Sequence, residues 1–134
     1  KDKISLKIIN KNVRENNIEY WGFKKNMANI YKSCSIVVLP SYREGLPKAL
    51  CEASACGKAI VTTNVPGCKD AIINNQTGIL VPPRDSLSLA KAIKRLLNDK
   101  ELCTSMGIKG RINAEKNFDI RKVVESHINI YKRI

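Results

Sequence analysis

Acidic residues are scarce in this chain: 12 Asp and Glu stand against 24 Lys and Arg, giving a formal net charge of +12 and a pI near 9.7. Such a surplus of cations seeks anions, whether a sugar nucleotide, a phospholipid surface or nucleic acid. Aromatic residues are also few, at 5%. The basic residues, from Lys24-Lys25 through Lys91, Lys94-Arg95, Lys109, Arg111 and Arg121-Lys122 to Lys132-Arg133, are not interleaved with aromatics, so nucleic acid is not the expected partner. The single histidine, His127, has no acid or nucleophile near it in sequence and is read as a structural or surface imidazole. The five cysteines, Cys34, Cys51, Cys56, Cys68 and Cys103, are odd in number and scattered, with no Cys-x-x-Cys pair. Buried reduced thiols are therefore expected, and neither a disulfide framework nor a zinc site is. No apolar run approaches the roughly 18 residues of a membrane span. No stretch reads as a signal peptide, so the expected setting is cytoplasmic.

With 43% hydrophobic residues over 134 positions, the chain can bury one α/β core and only one. Lys3 to about Asn12 reads as a short helix, and Ile18 to Phe23 alternates as a strand ending at Gly22. Asn26 is placed to cap a helix running to Cys34. Ile36 to Leu39, closed by Pro40, is a β-branched apolar run that predicts a fully buried strand. A helix from Pro47 to about Cys56 follows, ended by Gly57, and Ala59 to Thr62 predicts another strand. Cys68 to Ile73 predicts a short helix stopped by Asn74-Asn75, and Ile79 to Val81 the last strand. Strands and helices that alternate with short links indicate a doubly wound parallel sheet, an α/β Rossmann-like architecture. After Pro82-Pro83 the pattern is wholly helical. Asp85 or Ser86 caps a helix with Leu89, Ile93, Leu96 and Leu97 on one stripe; Glu101 to about Asn117 and Ile120 to Ile134 form two more. Residues 86–134 are thus expected as the helical carboxyl-terminal part of the same domain.

The chemistry concentrates in Pro40-Ser-Tyr-Arg-Glu-Gly-Leu-Pro-Lys-Ala-Leu-Cys-Glu52. This segment combines a strand exit, a glycine turn, a helix start and two glutamates, Glu44 and Glu52. Ligands of open α/β sheets bind at the carboxyl ends of strands, where the following helix presents free N–H groups and the positive end of its dipole. Pro47 has no N–H, so the donors facing an anion would be the amides of Gly45, Leu46 and Lys48. Lys48 adds charge. Glu52 lies about 7–8 Å along the helix from the start of the motif, so the two carboxylates are spaced to hold a sugar and a ribose. A plainer arrangement is equally compatible with the spacing: Glu44 caps the helix, and Glu52 pairs with Lys48 four residues away on a solvated face.

The longer segment Tyr31-Lys-Ser-Cys-Ser-Ile-Val-Val-Leu-Pro-Ser-Tyr-Arg-Glu-Gly-Leu-Pro-Lys-Ala-Leu-Cys-Glu-Ala resembles the signature of the retaining glycosyltransferases of family 4, a Glu followed by seven residues and a second Glu. Ala55-Cys-Gly-Lys-Ala-Ile-Val-Thr-Thr, Val65-Pro-Gly-Cys and Thr77-Gly-Ile-Leu-Val-Pro-Pro-Arg-Asp85 follow in the order and spacing of that family. The resemblance runs from about Ile18 to the carboxyl terminus. It implies the carboxyl-terminal, nucleotide-binding half of a two-domain GT-B enzyme, with Glu44 on the transferred sugar, Gly45 and Leu46 on the diphosphate and sugar, and Glu52 on the ribose hydroxyls.

The resemblance also implies a UDP- or GDP-linked sugar donor, transfer with retention, and a glycan or lipid-linked acceptor whose site lies on the amino-terminal domain, with Glu-Gly-Leu-Pro similar to the variant of capsule and O-antigen transferases. No resident cofactor or metal is implied, and the chain has no Asp-x-Asp motif. A GT-B enzyme needs two domains, so 134 residues are expected to form a partial unit, inactive without its amino-terminal domain. Three departures from the pattern are expected to matter: Pro47 where many relatives have Gly, Asp70 where the family usually has Glu, and the absence of the segment whose Arg and Lys hold the diphosphate. The alternative from another class is a non-catalytic, basic interaction module that binds a membrane surface or a partner chain. Sugar-nucleotide epimerases share the architecture but carry different signatures.

Overall fold

The computed structural model describes residues 18–133; the helix expected over Lys3 to Asn12 lies outside them. Three parallel strands, β1 (Ile36–Leu39), β2 (Ala59–Thr63) and β3 (Gly78–Val81), lie in the order β1-β2-β3. Register is set by Ile36 opposite Ala59 and by Ile60 opposite Gly78. Each link carries a helix: α1 (Met27–Ser33) leads into β1, α2 (Lys48–Ala55) joins β1 to β2, and α3 (Cys68–Ala71) joins β2 to β3. Three helices follow, α4 (Ser86–Asn98), α5 (Lys100–Asn117) and α6 (Ile120–Tyr131).

The central strand explains why both faces of the sheet are covered. All five residues of β2 are buried, and their alternation sends Ile60 to one side and Ala59 and Val61 to the other. Ile60 packs with Tyr31, Leu50, Ala53, Val65, Cys68 and Ile72 beneath α1, α2 and α3. Ala59 and Val61 pack with Ile79, Val81, Ala92, Leu96 and Met106 beneath α4 and α5. Fully burying a side chain such as Leu50, Ile60 or Leu96 contributes about 1.5–3 kcal/mol, so these two layers carry the fold. On α5, Gly107 lies so close to the turn after α2 that a β-carbon there would meet the Gly57 carbonyl oxygen at 2.1 Å.

Most predicted elements are present within a residue or two. Asn26 caps α1 by accepting a hydrogen bond from the Asn29 amide at 3.3 Å. Asp85 caps α4 through the Ser88 amide at 2.9 Å, and Asp99 caps α5 through the Leu102 amide at 2.8 Å. The differences have physical reasons. Ile18 to Phe23 forms no strand: alternation needs a neighbour to complete its ladder, and none among the described residues pairs with it. β1 is only partly buried, with Val38 36% exposed, because among the described strands it has a neighbour on one side alone. The helix predicted to reach Ile73 stops at Ala71, where Ile72 is already extended. Leu97, expected on the packed stripe of α4, is exposed. Of the five free cysteines only Cys68 is buried; the others are half-buried. His127 is exposed on α6. Among the described residues no helix is long and apolar enough to cross a membrane.

Candidate functional site

The carboxyl ends of β1 and β2 are tied together by two buried threonines. The Thr63 hydroxyl accepts from the Ser41 amide at 3.1 Å and donates back to the Ser41 carbonyl. One residue earlier, Thr62 donates to the Leu39 carbonyl at 2.7 Å. The chain leaving β1 is therefore fixed for its first two residues. Ser41 passes that order on, since its hydroxyl donates to the Glu44 carboxylate at 3.0 Å. Glu44 does not cap α2; its side chain is held by the loop and remains exposed.

A second contact supports the loop from below. Gly67, at φ +81°, lies directly under the Glu44-Gly45 peptide, and a β-carbon on it would fall 1.6 Å from the Gly45 carbonyl oxygen and 2.5 Å from that of Glu44. No side chain fits there. The Gly67 amide in turn donates to the Asp70 carboxylate at 3.0 Å, so the shorter acid at this position reaches its backbone partner.

Helix α2 begins one residue later than expected, at Lys48, with a buried Pro47 at the capping position and no side-chain cap. The first amides that turn back into the helix are those of Leu50 and Cys51, both onto the Pro47 carbonyl. The amides of Gly45, Leu46, Lys48 and Ala49 thus have no acceptor among the described residues. Uncapped helix amides are donors in search of an anion. Of the six residues singled out in the sequence, Glu44, Gly45, Leu46 and Lys48 are exposed, Glu52 is half-buried, and Pro47 is buried beneath the loop, where it shapes the turn without offering a surface to a ligand.

An open groove of about 810 Å³ runs between α1 and α2, with Lys25, Met27 and Tyr31 on one side and Lys48, Ala49 and Glu52 on the other. Glu52 forms the expected pair with Lys48, at 3.5 Å, on a largely exposed face. Such a pair contributes about 0.5 kcal/mol or less and leaves both groups available to a ligand. Glu52 is half-buried and lies beside Tyr31, whose phenol is pushed up from its ordinary pKa first by burial and then by the negative charge of Glu52. Burial likewise pushes the Cys51 thiol up, which keeps it an inert packing group. Sequence reasoning found the α2 side of this groove and missed the α1 side. Nothing in the spacing of Asn26 to Tyr31 marks a binding wall, although the capped start of α1 is what positions it.

The match to known proteins spans the site. The model of the family described as Glycosyl transferases group 1 matches residues 1–113. The chain is 32% identical, over 124 residues, to N,N'-diacetylbacillosaminyl-diphospho-undecaprenol alpha-1,3-N-acetylgalactosaminyltransferase of Campylobacter jejuni, covering 87% of this chain and 31% of that protein. In three dimensions it is similar to sucrose-phosphate synthase from Thermosynechococcus elongatus, with a TM-score of 0.86, 27% identity, and coverage of 95% of this chain and 32% of the other. It shares the fold of Anabaena HepE, whose structure is in complex with UDP, with a TM-score of 0.89, 20% identity, and coverage of 96% and 36%. The chain spans about a third of the length of these proteins.

Proposed function

The chain belongs to the group 1 glycosyl transferases, and from that membership we propose that it is the donor-binding part of a retaining sugar transferase, which takes a UDP- or GDP-linked sugar and delivers it to a glycan or lipid-linked acceptor. The observation that carries this reading is the succession of three features along the chain: Glu44 held just before α2, free amides at its start, and Glu52 beside the groove on its flank. A nucleoside diphosphate sugar has the same three parts in the same order.

In this reading the diphosphate lies against the amides of Gly45, Leu46 and Lys48, with the Lys48 ammonium as mobile counter-charge. The ribose hydroxyls donate to Glu52, and the base lies in the groove between α1 and α2. Glu44 accepts from hydroxyls of the sugar; its hydrogen bond from Ser41 fixes the direction of its remaining lone pairs. Transfer breaks the bond between the anomeric carbon and the diphosphate and makes one to the acceptor oxygen on the same face, while the acceptor's hydroxyl proton passes to the departing diphosphate or to water. The diphosphate gains negative charge as it leaves, and donors already in place stabilise that charge without reorganisation. The protein's remaining task is to orient the acceptor hydroxyl. Activity requires the further chain length that the relatives possess, and this part alone binds donor without turning it over. With a lipid-linked acceptor the reaction belongs at the cytoplasmic face of a membrane, where each Lys or Arg near an anionic surface adds about 1 kcal/mol of attraction.

Calorimetric titration of the chain with UDP, GDP and their sugar conjugates tests the reading. Saturable binding that weakens as salt is raised from about 0.05 to about 0.5 M, which shortens the screening length roughly threefold, is the expected outcome. A folded chain that gives neither heat nor amide chemical-shift change with any of these nucleotides would refute it.

A further inference from the structure

The groove between α1 and α2 is lined by side chains of two kinds. Met27 and Ala28 on one wall, with Ala49 and Ala55 on the other, give it apolar surface that can cover the faces of a flat ring. The polar groups are what distinguish one ring from another. On the α1 wall these are chiefly Lys25 and Asn26, both exposed, since Tyr31 has nearly all of its surface closed off by the core. Lys25 carries donors and no acceptor. The Asn26 amide carries both, but its Oδ1 already accepts from the Asn29 backbone amide at 3.3 Å to cap α1. That bond orients the side chain and leaves its NH2 group, which has no acceptor among the described residues, to a ligand.

Acceptors are scarce along the same wall. From Ile18 to Cys34 the one acid is Glu19, and its carboxylate accepts from the Trp21 indole at 2.6 Å. Across the groove the one carboxylate is Glu52, paired with Lys48 at 3.5 Å and assigned above to the ribose. The wall that meets the base therefore offers donors and little to accept. Nucleobases differ in what they ask of such a wall. Uracil presents two carbonyl oxygens flanking a single N–H along its outer edge, so two donors satisfy most of it. Cytosine, of the same size, replaces one carbonyl by an NH2 group, and guanine presents an N–H and an NH2 side by side, a pair that a carboxylate satisfies best. Against Lys25 and Asn26 those amino groups meet donors, and a donor left without a partner costs more than a made hydrogen bond contributes.

We infer that the nucleotide held in this groove is a uridine diphosphate, its base chosen by the Asn26 NH2 group and the Lys25 ammonium, which donate to the uracil carbonyls. This choice of base rests on the donor reading above and narrows its two nucleotides to one. Asn26 then serves twice with the two ends of one amide. Its oxygen starts the helix that forms the wall, and its nitrogen reads the ring that the wall covers.

Calorimetric titration of the chain with UDP, CDP and GDP provides the test, since UDP and CDP share size, ribose and diphosphate and differ only along the outer edge of the base. UDP is expected to bind on the order of tenfold tighter than either, the worth of one hydrogen bond exchanged for an unpaired donor. The decisive variant is Asn26→Asp. Aspartate caps a helix as well as asparagine does, so α1 keeps its start and Tm should hold within about 2 °C, while the donors that face the base give way to an acceptor. The added negative charge weakens every diphosphate, so the quantity to follow is the ratio of UDP to CDP affinity, which should fall to about one or below. Binding of CDP or GDP by the parent chain as tight as that of UDP would overturn the choice of uracil and leave the donor reading standing. An Asn26→Asp protein that keeps the parent's ratio would overturn the assignment to Asn26. A folded chain that binds none of the three removes the donor reading and this choice with it.

Discussion

Replacing Glu52 with alanine is expected to abolish most of the nucleotide affinity of this chain while leaving its stability almost untouched. Two hydroxyls donating to one carboxylate make charge-assisted hydrogen bonds, each worth about 1.5–3 kcal/mol, so the loss corresponds to roughly a hundredfold or more in Kd. The fold has little to lose in return. Alanine favours a helix more than glutamate does, and the Lys48 pair that disappears is exposed, with the Lys48 side chain 88% accessible. Tyr31 would feel one neighbouring negative charge fewer, so its phenol should titrate at lower pH in the variant, although burial still holds it above its ordinary value. Calorimetry with UDP and a thermal melt on the same sample separate the two effects. Glu52→Gln should fall between the parent and Glu52→Ala, since it retains one acceptor oxygen and the same volume. Unchanged affinity in Glu52→Ala would remove this side chain from the ribose and place the nucleotide elsewhere.

Gly67→Ala should do the reverse, disturbing structure and binding together. The added β-carbon would overlap the Gly45 carbonyl oxygen at 1.6 Å, and this neighbour is backbone, which cannot rotate aside as a flexible side chain would. A second penalty is conformational, because φ +81° is a region that residues with a β-carbon avoid. Overpacking and backbone strain each cost about 1–3 kcal/mol, which lowers Tm on the order of 10 °C for a domain of this size. The strain is relieved only if the Glu44-Gly45 peptide lifts away, and with it go the free amides and the carboxylate that Ser41 holds. The variant should therefore keep its far-UV circular dichroism, melt earlier and bind UDP weakly or not at all. A Gly67→Ala protein that matched the parent in both Tm and UDP affinity would show that this glycine is not the support of the loop.

The two residues differ in how far sequence alone announced them. Glu52 stood out because its spacing from Glu44 is itself a chemical signal, and a helix converts sequence spacing into distance by a fixed rule. The parallel sheet was legible for a similar reason, since Ala59 to Thr63 is apolar or β-branched at every position and only burial on two faces tolerates that. Gly67 carried no such signal. Its role arises from the approach of two loops that follow different strands, and a missing side chain is informative only once the neighbour that would collide with it is known. Arg84, whose guanidinium stacks over the Tyr42 ring, is likewise 42 positions from it in the chain, and the two meet only because β1 and β3 flank the same strand. The alternation of Ile18 to Phe23 misled for the complementary reason: it describes what a neighbour would pair with, and it contains no information on whether a neighbour is there.

Helix α6 contains no buried residue. Twelve residues of helix in water are marginal on their own, and tertiary packing normally supplies what the hydrogen bonds alone do not. Its amides are therefore expected to exchange with deuterium through local fraying, at rates near those of an unfolded peptide. The amides of β2, enclosed on both faces, should exchange only when the whole domain opens. Along one chain the regime therefore changes: in β2 a proton's lifetime is set by the stability of the entire domain, and in α6 by a single turn of helix opening to solvent.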